Sequence, residues 1–498
     1  MAYHAISRDE DEVDNTLPED ADDISATLLH RSAPTIEVDA VSSLWLRQRH
    51  IFVAVSFFGT TLVYFLRSNL SVAIVPMAAQ YAWSKTFEGM AISAYFYGYV
   101  AAQAFGGPLA LSVGGRRTVA VCATVAAFLG LLTPLAAEAG RGPLIATRAA
   151  MGLAEGAIFP SIHMLIAQWA PRDERSMFAA TIYSGNSLGT ALALGLTGAQ
   201  LASADDAGWA WARIGGGTSA WPAVFYVHST VALAWVILWW ICVYDTPELH
   251  PRISKAEVVE IRGMAGNAAT ESTPQPPSLA ALRAVPWRRL FTCVPFWAIV
   301  ANHFTTNFTT YVLSSWIPTF IKEQLGQPID AAGALAVLPY VACALVAVLG
   351  GLAADRVIAS RMLGTTAVRK LWQCSSQVIT AAVLLGVAQV ASPAAAIAML
   401  VVVVGASGLT EAGYHCNHID IAPAYAGVAF ALTNLVGNCG GIVGPQLVGA
   451  MLDPGPGAPA GAVPTTAMWR SVFGLTAGVN MVGCIVWAAF ASGNVQVR

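Results

Sequence analysis

Twelve long apolar segments dominate the sequence and limit the folds open to it. A helix that crosses a bilayer needs about 20 mostly apolar residues and satisfies its backbone polar groups within itself. Only 11% of the 498 residues are charged, whereas soluble proteins average about 25%. The sequence therefore predicts an all-α polytopic membrane protein with twelve transmembrane helices. They lie roughly at 51–80, 88–111, 118–137, 143–168, 177–200, 222–244, 292–321, 331–354, 371–391, 394–414, 426–451 and 469–491.

Polar stretches divide the chain into four regions. Residues 1–47 are acidic and lack the apolar core of a secretory signal, so they are predicted to be a disordered cytosolic tail. A polar connection at 246–290, containing "STPQPPS", is predicted to be a cytosolic linker. It separates an N-terminal six-helix bundle at 48–245 from a C-terminal six-helix bundle at 291–492.

The positive charges indicate the orientation in the membrane. If residue 1 is cytosolic, 19 of the 26 Lys/Arg lie in tails and inward loops, five lie in outward loops, and Arg67 and Arg148 remain within helices. Cytosolic loops carry an excess of Lys and Arg. We therefore expect a multi-pass membrane protein with both termini in the cytosol.

An internal repeat relates the two halves. "GNSLG" at 185–189 recurs as "GNCGG" at 437–441, and the same offset of 252 residues pairs His163 with His415. Two repeated bundles joined by a polar loop are typical of secondary transporters, which bind substrate near the midplane between the halves. The repeat thus predicts two pseudo-symmetric six-helix bundles.

Three ionisable residues within the predicted helices suggest a site. Arg67 lies near the middle of the first helix, while Arg148 and Glu155 are seven residues apart in the fourth. Charges inside a membrane are costly and default to functional hypotheses. Arg67 is predicted to clamp an anion, because a guanidinium matches carboxylate or phosphate, and Glu155 is predicted to carry the coupled proton. The alternative is that these residues form structural ion pairs.

A polar patch in the seventh helix could complete the site. His303, Thr306 and Asn307 lie in "NHFTTNFTTY", and together with Asn69, Arg148 and Arg67 they form the predicted substrate site. The alternative for His303 is a packing role within the bundle. Structural roles are favoured for His163, His415 and His418, and Glu411 is a candidate second protonation or cation site.

Charged turns at the predicted cytosolic ends form a candidate conformational latch. They occur in "GGRR", "PRDERS" and "GLAADR". Salt bridges among such turns could hold one conformation. The predicted latch residues are Arg116, Arg117, Asp173, Glu174, Arg175, Asp355 and Arg356.

Several functions are disfavoured by the sequence. It contains no Walker loop, HExxH or GxSxG motif and no large soluble domain, so an enzyme is not expected. The net charge of −3 argues against a nucleic-acid partner, and the eight cysteines show no metal-site spacing. No cofactor and no metal are predicted.

Nine strings in order along residues 45–490 carry a family resemblance. They are "RSNLSVAIVPM", "AISAYFYGYVAAQAFGGPLA", "RAAMGLAEGAIFPSIH", "QWAPRDERS", "WPAVFY", "VPWRRL", "SSWIPTFIKE", "TAVRK" and "HIDIAPAYAGVAFALTN". Together they resemble the anion:cation symporter branch of the major facilitator superfamily, which holds sodium- or proton-linked phosphate transporters, sialin, and vesicular glutamate and nucleotide transporters. The resemblance implies that Arg67 contacts an anion and that Arg148 and Glu155 serve substrate binding and proton coupling.

Two departures from the family pattern qualify the resemblance. Leu111 stands where the family has an aspartate before "GG", and only Asp355 keeps the equivalent acid in the second half. Thr306 stands where vesicular glutamate transporters have an arginine, which makes glutamate a less favoured substrate.

The expected function is secondary active transport of an organic or inorganic anion, such as a sialate-like carboxylate, phosphate or a nucleotide. Alternating access and proton coupling are expected. A sodium-dependent phosphate symporter is the first alternative, and an anion channel or a non-transporting receptor on a transporter fold is the second. The expected partners are a small anion, H⁺ or Na⁺ and the lipid bilayer, with the monomer as the functional unit in an endolysosomal, vesicular or plasma membrane.

Overall fold

The computed structural model describes residues 47–171, 174–202, 221–262, 285–390, 392–455 and 463–497. The described residues form helices and turns and no strand. Twelve long helical segments, called spans 1 to 12 below, follow one another in chain order. This confirms the predicted fold class.

Spans 1 to 6 make up the N-terminal half. They are Gln48–Ser68 with Leu70–Tyr81, Lys85–Val113, Gly115–Ala139, Arg141–Glu155 with Ile158–Trp169, Arg175–Ala202 and Trp221–Cys242. Spans 7 to 12 make up the C-terminal half. They are Val294–Thr319, Ile329–Leu335 with Leu338–Ala359, Thr365–Val387, Pro393–Ser407 with Tyr414–Ile421, Ala426–Leu452 and Thr466–Phe490.

Membrane-crossing capacity varies among the spans. Within the described residues, eight are both long and apolar enough to cross a bilayer. The other four are spans 2, 5, 7 and 9, whose helices of 29, 28, 26 and 23 residues are long enough. Span 7 shows the cause, since it carries buried asparagine, histidine and threonine side chains. Polar side chains facing the interior of a bundle lower mean apolarity without preventing a membrane crossing.

Three spans are interrupted near their ionisable residues. Span 1 breaks at Asn69, two residues after Arg67, and span 4 breaks between Glu155 and Ile158. Proline at position 160 supplies no backbone N–H to the preceding turn, which accounts for the break in span 4. Span 10 passes through a 3₁₀ turn, Gly408–Glu411, before its last helix. The interruptions therefore lie next to Arg67, Glu155 and Glu411, although Asn69 itself keeps helical dihedral angles (φ −59°, ψ −33°).

The two halves repeat one packing scheme. Span 1 packs along span 5 in the first half, and span 7 packs along span 11 in the second. The repeated glycine motif lies in spans 5 and 11, where small residues let helices approach closely. The packing agrees with the predicted pseudo-symmetry.

The linker carries a short helix that docks on the N-terminal half. Within the described part of the linker, Lys255–Arg262 is helical. Glu257 accepts hydrogen bonds from the backbone N–H groups of Gln48 and Arg49, and so caps span 1. Glu260 pairs with Arg49 at 2.9 Å. The helix therefore fixes the start of the span that carries Arg67.

The halves meet at the face opposite residues 47 and 497, which are the ends of the described chain and are called the chain ends below. There Lys85 of span 2 pairs with Glu323, just after span 7, at 2.6 Å. The hydroxyl of Thr86 donates to Asp453 at 2.6 Å, and bonds from Thr86 lower the pKa of this carboxyl. At the face that carries the chain ends, the ion pair between Arg369 and Asp420 stays within its own half.

Candidate functional site

Arg67 lies in a cage of five aromatic rings. Its guanidinium carbon is 4.4 Å from the ring centre of Phe96, and the side chain is 8% exposed. The other rings belong to Tyr311, Tyr64, Tyr95 and Tyr99, at 4.8, 5.0, 5.0 and 5.5 Å. Four rings come from the N-terminal half, whereas Tyr311 comes from span 7. The cage therefore brings the cation to the boundary between the halves.

No described carboxylate pairs with this guanidinium within 4.0 Å, and Nη2 of Arg67 is buried without a hydrogen-bond partner. Each ring face attracts a cation by about 0.5 to 2 kcal/mol, depending on desolvation. The rings thus stabilise the charge without neutralising it. Arg67 keeps its capacity to bind an anion.

Arg148 fixes the backbone of span 1 at the cage. Its Nη2 donates to the carbonyl oxygen of Arg67 at 3.1 Å, and the side chain is 2% exposed. In a regular helix that carbonyl would accept from the backbone four residues later. The side chain of Arg148 therefore supports span 1 beside the break at Asn69.

Glu155 is fully buried and bonded to a tyrosine of the cage. The hydroxyl of Tyr95 donates to Oε2 of Glu155 at 2.5 Å, while Oε1 has no hydrogen-bond partner. No ion pair forms between Glu155 and Arg148 in the described structure. Tyr95 therefore links the two charges, with its ring against Arg67 and its hydroxyl on Glu155.

A close approach of spans 2 and 4 makes this link possible. A Cβ atom on Gly152 would overlap the carbonyl oxygen of Tyr95. Glycine permits backbone contact that any other residue would prevent. Gly152 therefore brings Tyr95 within reach of Glu155, one turn further along span 4.

The predicted residues of span 7 occupy three different environments. His303 is 2% exposed, and its Nδ1 lies 3.1 Å from the hydroxyl of Thr433 in span 11. Thr306 accepts a long hydrogen bond of 3.5 Å from Gln373 of span 9. Asn307 is half-buried next to Gly437. His303 precedes Tyr311 by eight residues, about 12 Å along a helix, so His303 lies toward the face that carries the chain ends.

The side chain of Asn69 contacts span 6. It is 1% exposed, and its amide nitrogen lies 3.3 Å from Nδ1 of His228 in span 6. The structure therefore groups Arg67, Arg148 and Glu155 around Tyr95, and places Asn69 against span 6. Its role in substrate binding stays a prediction.

The predicted latch residues are dispersed. Arg116 donates its backbone N–H to Asp245 and covers the ring of Tyr244 at 4.2 Å. Glu174 accepts from Arg49 at 3.1 Å, and Arg117, Asp355 and Arg356 are exposed. Asp173 lies outside the described residues, as does the side chain of Arg175. The latch stays a prediction.

The aromatic cage is the component that the sequence analysis did not identify. Tyr95, Phe96 and Tyr99 follow one another at helical spacing in span 2, which is one of the less apolar spans. Aromatic residues at positions i, i+1 and i+4 beside a membrane-embedded arginine are the signal that could have indicated the cage.

Comparison with known proteins agrees with this architecture. Residues 56–445 match the model of the Major Facilitator Superfamily. Human sialin is 32% identical over 479 residues, covering 90% of each chain. Bovine vesicular glutamate transporter 1 is 31% identical over 508 residues, covering 99% of this chain and 85% of the relative.

A solved structure shares the fold. The bacterial homolog of the human lysosomal transporter Spinster, in its inward-facing unoccupied conformation, superposes with a TM-score of 0.69 at 16% identity. The alignment covers 89% of this chain and 96% of the other. The chain is thus a multi-pass membrane transporter and not an enzyme. It belongs to the major facilitator superfamily, in the anion:cation symporter branch that holds sialin and the vesicular glutamate transporters.

Proposed function

We propose that this protein is a proton-coupled secondary active transporter of an organic anion, working by alternating access with both termini in the cytosol. The observation that carries the proposal is the buried guanidinium of Arg67, which rests on five rings and has no carboxylate partner among the described residues. A cation in this setting attracts an anion strongly, because little water screens it. Tyr311 belongs to the cage, so an anion here would contact both halves.

The cage favours an organic anion over inorganic phosphate. Its rings offer apolar surface, and a carboxylate with a carbon skeleton can use that surface while phosphate cannot. A sialate-like carboxylate fits this pattern. Relatives include a protein named as a vesicular glutamate transporter, so glutamate belongs in the same test.

Proton coupling would operate through Tyr95. Ionised Glu155 contributes a negative charge next to the tyrosine that supports Arg67, and that charge competes with a substrate anion. A proton on Glu155 removes the competition, so proton and anion enter together. Release of the proton on the other side of the membrane would weaken anion binding there.

Alternating access would proceed by parting the contacts at the face opposite the chain ends. These contacts are the ion pair between Lys85 and Glu323 and the hydrogen bond between Thr86 and Asp453. With them intact, substrate reaches Arg67 from the face of the chain ends. The cation asymmetry of the loops assigns that face to the cytosol.

The experiment is uptake by purified protein in liposomes. Sialate, glutamate, ATP, urate and phosphate are compared under imposed pH, sodium and voltage gradients, with choline replacing sodium in one arm. We expect saturable, pH-driven uptake of an organic anion. Sodium-dependent phosphate uptake would instead favour the phosphate symporter, and conductance without counterflow would favour a channel.

Arg67→Ala tests the site itself. Loss of a charge-assisted contact worth about 1.5 to 3 kcal/mol should lower uptake about 10- to 100-fold. Arg470→Ala, an exposed arginine at the start of span 12, is the matched control and should retain uptake. Normal uptake by Arg67→Ala, with correct membrane insertion, would exclude Arg67 as the anion-binding residue.

A further inference from the structure

The break in span 10 carries a carboxylate and an imidazole that the site above does not use. Glu411 ends the 3₁₀ turn that follows Ser407, and His415 lies in the first turn of the next helix. Nδ1 of His415 is 2.7 Å from Oε2 of Glu411. The two side chains are therefore close enough to share a proton.

The pair lies on the interior side of the C-terminal half. The ring of His415 is 5.6 Å from that of His303 in span 7 and 6.1 Å from that of Phe430 in span 11. The side chain of Glu411 is nevertheless 56% exposed. A carboxylate exposed to lipid would cost several kcal/mol, so this exposure indicates contact with water between the spans.

The titratable neighbours leave the pair free to exchange protons. His303 comes from span 7, and the nearby groups on span 10 itself are Tyr414, Cys416 and His418.

The ionisable groups of the neighbouring spans have partners of their own. Cys343 of span 8 contacts Ser407 at 3.4 Å, and Arg369 of span 9 pairs with Asp420 at 2.7 Å. His418 is bonded to Thr433 at 2.7 Å. No described cation other than the imidazole pairs with Glu411 within 4.0 Å.

The repeat has no matching acid–imidazole pair in the N-terminal half. The 252-residue offset relates His415 to His163 and Glu411 to Phe159. His163 bonds to the hydroxyl of Tyr183 at 2.6 Å, and Phe159 makes ring contacts with Tyr64 and Tyr183. The N-terminal half thus keeps the histidine but has no acid at the matching place.

We propose that Glu411 and His415 form a second proton-binding site, which couples proton uptake to closure of the two halves around the pair. With one proton shared between Nδ1 and Oε2, the pair is imidazolium and carboxylate and its net charge is zero. Release of that proton to water leaves neutral imidazole, ionised Glu411 and a net charge of −1. Sealing an unpaired charge away from water is costly, so only the protonated pair can be enclosed when the halves close around it.

This inference rests on the proposed transport function, whereas its primary test measures proton binding and requires no transport. The purified full-length protein in detergent is titrated between pH 8 and 5, and the protons bound are compared for wild type, Glu411→Gln and His415→Asn. We expect His415→Asn, which lacks the imidazole, to bind about one proton fewer than wild type. Glu411→Gln, whose imidazole has lost its carboxylate partner, should take up that proton at lower pH. Glu138→Gln, at an exposed glutamate at the end of span 3, serves as the control. Titration curves of both variants that coincide with the curve of wild type would overturn the proposal.

The second arm measures transport with labelled sialate and glutamate as probes. A variant that lacks one coupled proton should retain exchange of labelled for unlabelled substrate. Under a gradient of one pH unit, each coupled proton raises the accumulation ratio of the substrate about tenfold. The variant should therefore accumulate about tenfold less substrate. Glu411→Asp, which keeps a carboxylate, should restore part of the accumulation, whereas full accumulation by Glu411→Gln would refute the coupling role. If wild type itself moves neither probe while the titration difference persists, the proton site stands and the proposed transport of these anions fails.

Discussion

The two halves share a scaffold but place different chemistry at its centre. In the N-terminal half the membrane-embedded cations are arginines, Arg67 and Arg148, which keep their charge at any physiological pH. In the C-terminal half the corresponding region holds His303, His415 and His418, whose imidazole rings are able to bind or release a proton. The same fold thus presents arginines at the centre of one half and imidazole rings at the centre of the other.

The largest expected difference between the halves concerns the repeated glycine motif. A Cβ on Gly189 would overlap the backbone oxygen of Thr61, whereas one on Gly437 would lie 2.6 Å from a side-chain atom of His303. Overpacking costs about 1 to 3 kcal/mol, and backbone yields less than a side chain does. We expect Gly189→Ala to destabilise the protein by about 3 kcal/mol and Gly437→Ala by less than about 1 kcal/mol.

Thermal unfolding in detergent measures this difference. Gly474→Ala, in span 12 with open space around the added methyl group, is the control and should leave the midpoint unchanged. Equal destabilisation by Gly189→Ala and Gly437→Ala would show that the two motifs face equally rigid neighbours.

The second test opens the contacts that join the halves. Lys85 is 7% exposed and pairs with both Glu323 and Glu88. Because Glu88 remains after Glu323→Gln, the loss should be below the 3 to 5 kcal/mol of a broken buried pair, about 1 to 2 kcal/mol. The face opposite the chain ends should therefore open more often.

Labelling of Ser93→Cys by a maleimide, in a background without native cysteines, reports the opening. Ser93 is fully buried and bonds to the carbonyl of Ile442 in the other half. We expect the labelling rate to rise about tenfold. An unchanged rate would mean that this ion pair does not hold the halves together, and Glu138→Gln provides the baseline.

The third test separates the two functions of Tyr95. Tyr95→Phe keeps the ring against Arg67 but removes the hydroxyl that bonds to Glu155. Substrate affinity should stay within about threefold, since the cage is intact. Unpartnered Glu155 should hold a proton to higher pH, so the pH profile of uptake should move toward alkaline values. A profile that coincides with wild type would remove Tyr95 from the coupling path.

The smallest expected effect concerns the linker. Bonds from Arg262 lower the pKa of Glu248 to about 2, below the ordinary value of about 4.3. The ion pair therefore stabilises the linker above about pH 4.3, and this contribution is lost as the pH falls toward 2. Because Glu248 is 46% exposed, the effect should be small.

Hydrogen exchange of residues 255–262 as a function of pH measures this effect. Glu248→Gln should exchange slightly faster at neutral pH and lose the acid dependence. The same acid dependence in wild type and variant would assign it to another carboxylate.

Local sequence patterns were sufficient to predict the architecture. Apolar length predicts the twelve spans, and the 252-residue repeat predicts the two halves, because both depend on properties of consecutive residues. The cost of a charge in lipid also singles out Arg67, Arg148 and Glu155 without a structure. The family assignment follows from ordered motifs and was confirmed.

The contacts that satisfy those charges became visible only in the folded protein. Arg148 and Glu155 share one helix face because they are seven residues apart. Even so, Arg148 bonds to the carbonyl of Arg67, and Glu155 bonds to Tyr95. The aromatic cage draws on spans 1, 2 and 7. Such contacts depend on the rotation and distance of neighbouring helices, which small residues such as Gly152 set. The order of the residues sets which charges enter the membrane, and close helix packing sets which groups each charge contacts there.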